Sequence, residues 1–234
     1  MRALRLHRIR PEPRIAGHKL GLYTNADARE RRAIVKDQMR SKEFAQLRYL
    51  DARDAMIDHL IDGEQDATEL FMMIEYLASG FHTTPWSGQN AALCIEALGA
   101  FIKKRDLSRF DGMTMVRGDA NPPPMKLGGV LIDVEPDIIL RGDNRNGKPV
   151  VGGLKLHLSR TQPLDEEQAK NYATLLASYI KQNALRPGES LSERRCFVWD
   201  VFAERIVTAP RALNRRLQNM EACCEEIGFR WRST

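Results

Sequence analysis

The chain has 234 residues, of which 43% are hydrophobic and 29% charged, with a mean hydropathy of −0.43 and a formal charge of +5. That is enough for one large domain, or a compact domain with a helical extension. No apolar run approaches the ~18 residues that span a bilayer, and the basic start MRALRLHRIRPEPRI lacks the continuous apolar stretch of a secretory signal, so a cytoplasmic protein is expected.

Residues 1–25 read as irregular, with Pro11, Pro13, Gly17 and Gly21 as breakers. A helical pattern runs from about Asn25 to about Asp62, with a break expected near Ser41. DGEQDATELFMMIEYLASG reads as a helix ending at Gly80, and FHTTPWSG as a turn in which Thr84 and Pro85 start the next helix. That helix should end near Lys104. The texture then becomes β-rich. PPPMKLGG is a loop ending in a strand start, VLIDVEPDIILRG a strand, GDNRNGK a hairpin turn and PVVGGLKLHLS the next strand. PLDEEQAKNYATLLASYIKQN is an amphipathic helix with acids in its first turn, where the helix dipole favours them. RRCFVWDVF and ERIVTA read as strands, and PRALNRRLQNMEACCEEIGFRW as a closing helix. The expected fold is α/β, with residues 1–82 as an N-terminal helical extension or cap and residues 83–234 as the core.

Positive charge is uneven. Arg2, Arg5, Arg8, Arg10, Arg14 and Lys19 precede the first long helix against Glu12 alone, and Arg211, Arg215, Arg216, Arg230 and Arg232 form a second cluster. Both fit either a solvated surface or contact with nucleic-acid phosphate. The four cysteines, Cys94, Cys196, Cys223 and Cys224, show no CxxC spacing and read as free thiols. No phosphate loop, dinucleotide fingerprint, HExxH or nucleophile elbow occurs.

Lys155 is the conspicuous residue, a charge inside the apolar run PVVGGLKLHLS. Strand alternation groups Gly153, Lys155 and His157 on one face. The same rule groups Asp133, Glu135 and Asp137 on a neighbouring strand. A hairpin pairing these faces would set carboxylates beside an ammonium, a combination suited to Mg²⁺ or Mn²⁺ and a polarised phosphate. The order helix–three strands–helix–strand, Pro136–Asp137, the lysine on the following strand, and QAKNY from Gln168 to Tyr172 together resemble the PD-(D/E)XK nuclease superfamily, RecB-like branch with its QxxxY motif, over about residues 86–201.

That resemblance implies a metal-dependent deoxyribonuclease of DNA repair, phage defence or mobile-element maintenance, with nucleic acid, DNA above all, as partner. A protein partner or a second copy of the chain is also compatible with it. It implies Asp137 as main metal ligand, Lys155 as catalytic lysine, and Gln168 and Tyr172 as residues lining the site. Glu96 is the implied acid from the first core helix, with Glu75 a weaker one and His82 an upstream histidine ligand. An iron–sulfur cluster, carried by some RecB-type nucleases, is not expected without a CxxC. The usual acid–x–Lys element reads Gly153–Leu154–Lys155 here. Either another acid has moved in (Glu96, Glu135 or Glu166), or an inactive nuclease fold serves binding or scaffolding, or the likeness is accidental and Lys155 snorkels from an edge strand. Tyr172 reads equally as helix–sheet packing, His157 as a packed or surface residue, and Asp200 as a surface residue ending its strand.

Overall fold

The computed structural model describes residues 9–40, 48–63, 66–80, 84–104 and 107–233. In chain order the elements are β1 (Arg14–Ala16), α1 (Gly17–Asn25), α2 (Ala28–Gln38), α3 (Leu50–Asp62), α4 (Thr68–Ala78) and α5 (Pro85–Lys104). A 3-10 turn follows at Leu107–Phe110. Then come β2 (Thr114–Arg117), β3 (Met125–Leu127), β4 (Val130–Asp133), β5 (Ile138–Asp143) and β6 (Pro149–His157). The chain closes with α6 (Glu166–Asn183), β7 (Ser190–Asp200), β8 (Arg205–Thr208) and α7 (Leu213–Arg232). The fold is α/β.

A five-stranded mixed sheet runs in the order β2-β5-β6-β7-β8. β5 and β6 are antiparallel, and their turn is closed by Asn144, whose side-chain oxygen accepts from the Asn146 and Lys148 amides. β6 and β7 are parallel, which requires a crossover, and α6 supplies it. A second, three-stranded sheet has the order β1-β4-β3.

Period-two alternation assigns the two faces of the main sheet. Ile138, Leu140, Leu154, Leu156, Phe197 and Trp199 pack against α3, α4 and α5, with the Phe101 and Trp199 rings 4.7 Å apart. Val151, Cys196 and Val198 pack against α6 and α7, in a cluster shared with the small sheet. β6 lies between two paired strands and is buried along its length after Pro149, so its whole sequence is apolar but for Lys155 and His157.

Local signals explain most helix starts. Asp27 and Glu30 form a reciprocal capping box on α2, as Asp165 and Gln168 do on α6. Pro85 opens α5, where Thr84 Oγ1 accepts from the Ser87 amide at 3.1 Å.

Three expectations about the elements differ from the structure. Gly17 and Gly21 do not break the chain but lie within α1, where they let it approach α6: a Cβ on Gly17 would meet the Tyr172 ring at 2.7 Å, and one on Gly21 the Gln168 carbonyl at 3.1 Å. β2, an edge strand with an exposed, weakly patterned sequence, was not anticipated. VLIDVEPDIILRG is not one strand: it leaves the small sheet after Asp133 and enters the main sheet at Ile138. The N-terminal segment contributes β1 to the small sheet by parallel pairing with β4. Among the described residues no helix is long and apolar enough to cross a membrane.

Candidate functional site

The crossing between sheets places Asp137. Its amide donates to the Leu154 carbonyl and its carbonyl accepts from the Gly118 amide, both at 2.9 Å. So held, the carboxylate turns toward β6. Oδ1 accepts from Lys155 Nζ at 3.1 Å and Oδ2 from the Leu156 amide at 2.6 Å. Both side chains of the pair are 6% exposed. Burial lowers the Lys155 pKa below its ordinary value, while Asp137 pulls the other way. A buried ammonium here is tolerated because its partner is fixed by backbone bonds rather than by a flexible side chain.

A third charge comes from α3. Arg53 Nε lies 3.9 Å from Asp137 Oδ1, is buried, and has no hydrogen-bond acceptor among the described residues. The helix that carries it starts at Tyr49, whose φ of 63° is left-handed and strained for a side chain of that size. The Tyr49 amide donates to Asn90 Oδ1 on α5 at 3.1 Å, and the Arg53 amide donates to the Tyr49 carbonyl at 2.9 Å. The strained start therefore sets where Arg53 points.

Lys155, Arg53 and Tyr172 line a cavity of about 390 Å³. Arg10, Lys19, Arg40 and Arg48 line it as well, and its acids are Asp37, Asp133 and Glu135. Asp133 is neutralised by a two-pronged contact from Arg14 Nε, at 2.9 and 3.0 Å. Arg10, Arg40 and Arg48 make no side-chain ion pair among the described residues, so the rim carries net positive charge.

Two histidines sit at the cavity wall. The His18 ring is 5.7 Å from that of His157 and 6.3 Å from that of Tyr172. His157 Nε2 donates to the Gln162 carbonyl at 2.9 Å. Burial, then the neighbouring His157, Lys19, Lys155 and Arg53, push the His18 pKa down to about 3. His157 is lowered by burial too. Both imidazoles are neutral at physiological pH. The Tyr172 hydroxyl is raised by burial, then by Asp137 and Glu135.

The residues singled out in the sequence fall in different places. Asp137, Lys155 and Tyr172 come together, with Glu135 half-buried on the same cavity and without a hydrogen bond or ion pair among the described residues. Glu96 is exposed on α5 and pairs with Arg160 at 2.8 Å. Gln168 serves its helix: its amide donates to Asp165 Oδ1 at 2.7 Å and its Oε1 accepts from the Asp165 amide at 3.0 Å. Glu75 is exposed on α4, and Glu166 is exposed and pairs with Lys170 at 2.7 Å. His82 lies outside the described residues, as do Arg2, Arg5 and Arg8. Asp200, expected on the surface, is 1% exposed, because its oxygens accept from the Leu164 and Ala203 amides at the end of β7. The cysteines are free, one on α5, one on β7 and two on α7.

Arg53 and His18 were missed by sequence reasoning. Both lie far from Lys155 in the chain, and neither belongs to a local pattern. Gly153 has a steric reason: a Cβ there would meet Ile180 Cδ1 on α6 at 3.1 Å and the Ile138 carbonyl at 3.3 Å. A side chain at the position two before Lys155 would press on α6, and Ile180 would have to give by a few tenths of an ångström.

Mg²⁺ requires near-octahedral oxygen ligands at about 2.0–2.1 Å. Asp137 instead faces an ammonium, a guanidinium and an amide, all donors. Among the described residues no group of three or more His, Cys, Asp or Glu side chains is gathered to hold a metal ion. As arranged, the donor set does not fit a divalent cation. No protein-family model matches this chain, and no curated protein is significantly similar to it in sequence.

Proposed function

We propose that this chain binds nucleic acid through the cationic cavity above Lys155, on a scaffold of the PD-(D/E)XK type. Support for the scaffold is the order α5, β2, β5, β6, α6, β7, with Asp137 entering β5, Lys155 on antiparallel β6, and α6 crossing to parallel β7. The observation that carries the binding reading is how the charges are shared. Each Asp137 oxygen already accepts from a fixed donor, which favours Asp137–Lys155 as a structural pair, whereas the rim arginines Arg10, Arg40 and Arg48 make no ion pair among the described residues. Exposed guanidinium groups around a concave site suit phosphate, which they hold with paired N–H donors.

One observation favours a second reading, metal-dependent phosphodiester hydrolysis. Glu135 makes no ion pair among the described residues and lines the cavity beside Lys155. Hydrolysis would require Asp137 to give up Lys155 and share Mg²⁺ or Mn²⁺ with Glu135.

The test is fluorescence anisotropy with labelled oligonucleotides in EDTA, followed by incubation of the same DNA with Mg²⁺ or Mn²⁺. Binding in EDTA that weakens steeply with salt, with DNA left intact, is the expected result. Absence of binding at low salt would overturn the reading. Metal-dependent cleavage by the wild type that Glu135→Gln abolishes would replace it with the hydrolytic one.

A further inference from the structure

The cavity's size and one half-buried arginine say more about its ligand, granted that it is nucleic acid. We propose that the cavity admits a single strand rather than a duplex, and that Arg53 is the residue that clamps a phosphate of that strand at its floor.

Size is the first reason. The cavity holds about 390 Å³. The two strands of a duplex cannot enter a space of that size together. One nucleotide of an unpaired strand fits that scale, whereas a base-paired one would be kept at the rim.

The state of Arg53 is the second. Its guanidinium makes no hydrogen bond among the described residues, and its side chain is 28% exposed, so a ligand in the cavity can reach its terminal nitrogens. The 3.9 Å to Asp137 Oδ1 is too long for a hydrogen bond. Asp137 cannot approach further, because its own oxygens are held by Lys155 and Leu156. Lys155, though cationic, is committed to Asp137. Arg53 is thus the cation at the cavity floor with hydrogen-bonding capacity to spare. A planar guanidinium offers two parallel N–H donors to a phosphate.

Its placement is the third. The left-handed Tyr49 and the Asn90 side chain fix the first turn of α3, so Arg53 meets its ligand without reordering a helix. Arg10, Arg40 and Arg48 at the rim would carry the neighbouring phosphates. Glu135 opposes them; with Asp133 neutralised by Arg14, the lining still has more cations than acids.

The experiment measures dissociation constants for a single-stranded oligonucleotide and the matching duplex over a series of salt concentrations. It uses the wild type, Arg53→Gln and Arg53→Lys, each first checked for an unchanged circular-dichroism spectrum. The expected result is at least tenfold tighter binding of the single strand. Arg53→Gln should weaken the single strand about tenfold and flatten the slope of log K against log salt by about 0.7, one phosphate's worth. Arg53→Lys should keep the slope while still losing affinity, because charge remains and the paired donors do not. Equal affinity for strand and duplex, or an Arg53→Gln variant that binds as the wild type does, overturns the proposal while leaving nucleic-acid binding in place. If neither form of DNA binds the wild type, the broader reading falls with it.

Discussion

Strand β6 serves two regions that are equally dry and chemically opposite. Toward α3–α5 it presents Leu154 and Leu156, which join Phe101 and Trp199 in a cluster of apolar side chains. Toward α6 it presents Gly153, Lys155 and His157, which meet Ile180, Asp137 and the cavity wall. Burial is nearly the same on both sides: Leu154 is 0% exposed and Lys155 5%. What differs is how each side is satisfied. The apolar face needs only volume and shape, and tolerates any side chain that fills it. The polar face needs named partners at set distances, and each of its residues is constrained by another from a different element. One strand can thus anchor the core with one half of its residues and build a site with the other.

Substitutions on the two faces of β6 test this most strongly. Lys155→Ala should cost about 3–5 kcal/mol of unfolding free energy in a urea titration, because it strands a buried carboxylate. Pairing Lys155→Met with Asp137→Leu should recover most of that loss. Leu156→Ala should cost about 2–5 kcal/mol by leaving a cavity, with oligonucleotide affinity unchanged in the folded protein. If Lys155→Ala costs less than about 1 kcal/mol, the pair is not buried and the two faces are less different than described.

Gly153→Glu restores the acid that the nuclease-like pattern leads one to expect, and sets it against Ile180. Overpacking should cost about 1–3 kcal/mol, and adding Ile180→Ala should relieve part of it. A variant as stable as the wild type would mean that α6 yields and that the position is open to a carboxylate after all.

The His18 prediction concerns pH. In the folded chain His18 has a pKa of about 3, against 6.5 when exposed. Between those values the unfolded chain binds a proton that the folded chain refuses, so this group makes stability fall as pH falls from about 6.5 toward 3. Thermal melts across that window should show a shallower decline for His18→Asn than for the wild type. Parallel declines would mean that His18 is not desolvated at the cavity wall.

The smallest effect is expected at Glu96. Its exposed pair with Arg160 should be worth about 0.2–1 kcal/mol, and Glu96→Ala should leave both folding and DNA affinity near wild type. A large loss of affinity would bring Glu96 back into the site.

Much of the fold could be read locally. The α6 start, Pro85 at the head of α5, the Asn144 turn and the apolar run of β6 each follow from a few neighbouring residues, whereas the helix start expected near Asn25 falls at Asp27, Asn25 ending α1 instead. Lys155 could be singled out for the same reason: a charge in a central strand stands out against its own neighbours. Asp137 could be matched to it because hairpin pairing links nearby segments of chain.

The sequence by itself thus determined the α/β class, the order of most elements and the Asp137–Lys155 pair, all of which depend on short-range periodicity and turn chemistry. The tertiary structure decided the rest. It turned two supposed breakers into the close contact of α1 with α6, parted Asp133 from Asp137 onto two sheets, and packed Ile180 close over Gly153. It also brought Arg53 and His18 to the cavity from segments far away in the chain. The physical reason is that propensity and alternation act over a few residues, whereas the neighbours of a buried charge are set by helix and sheet packing between distant segments.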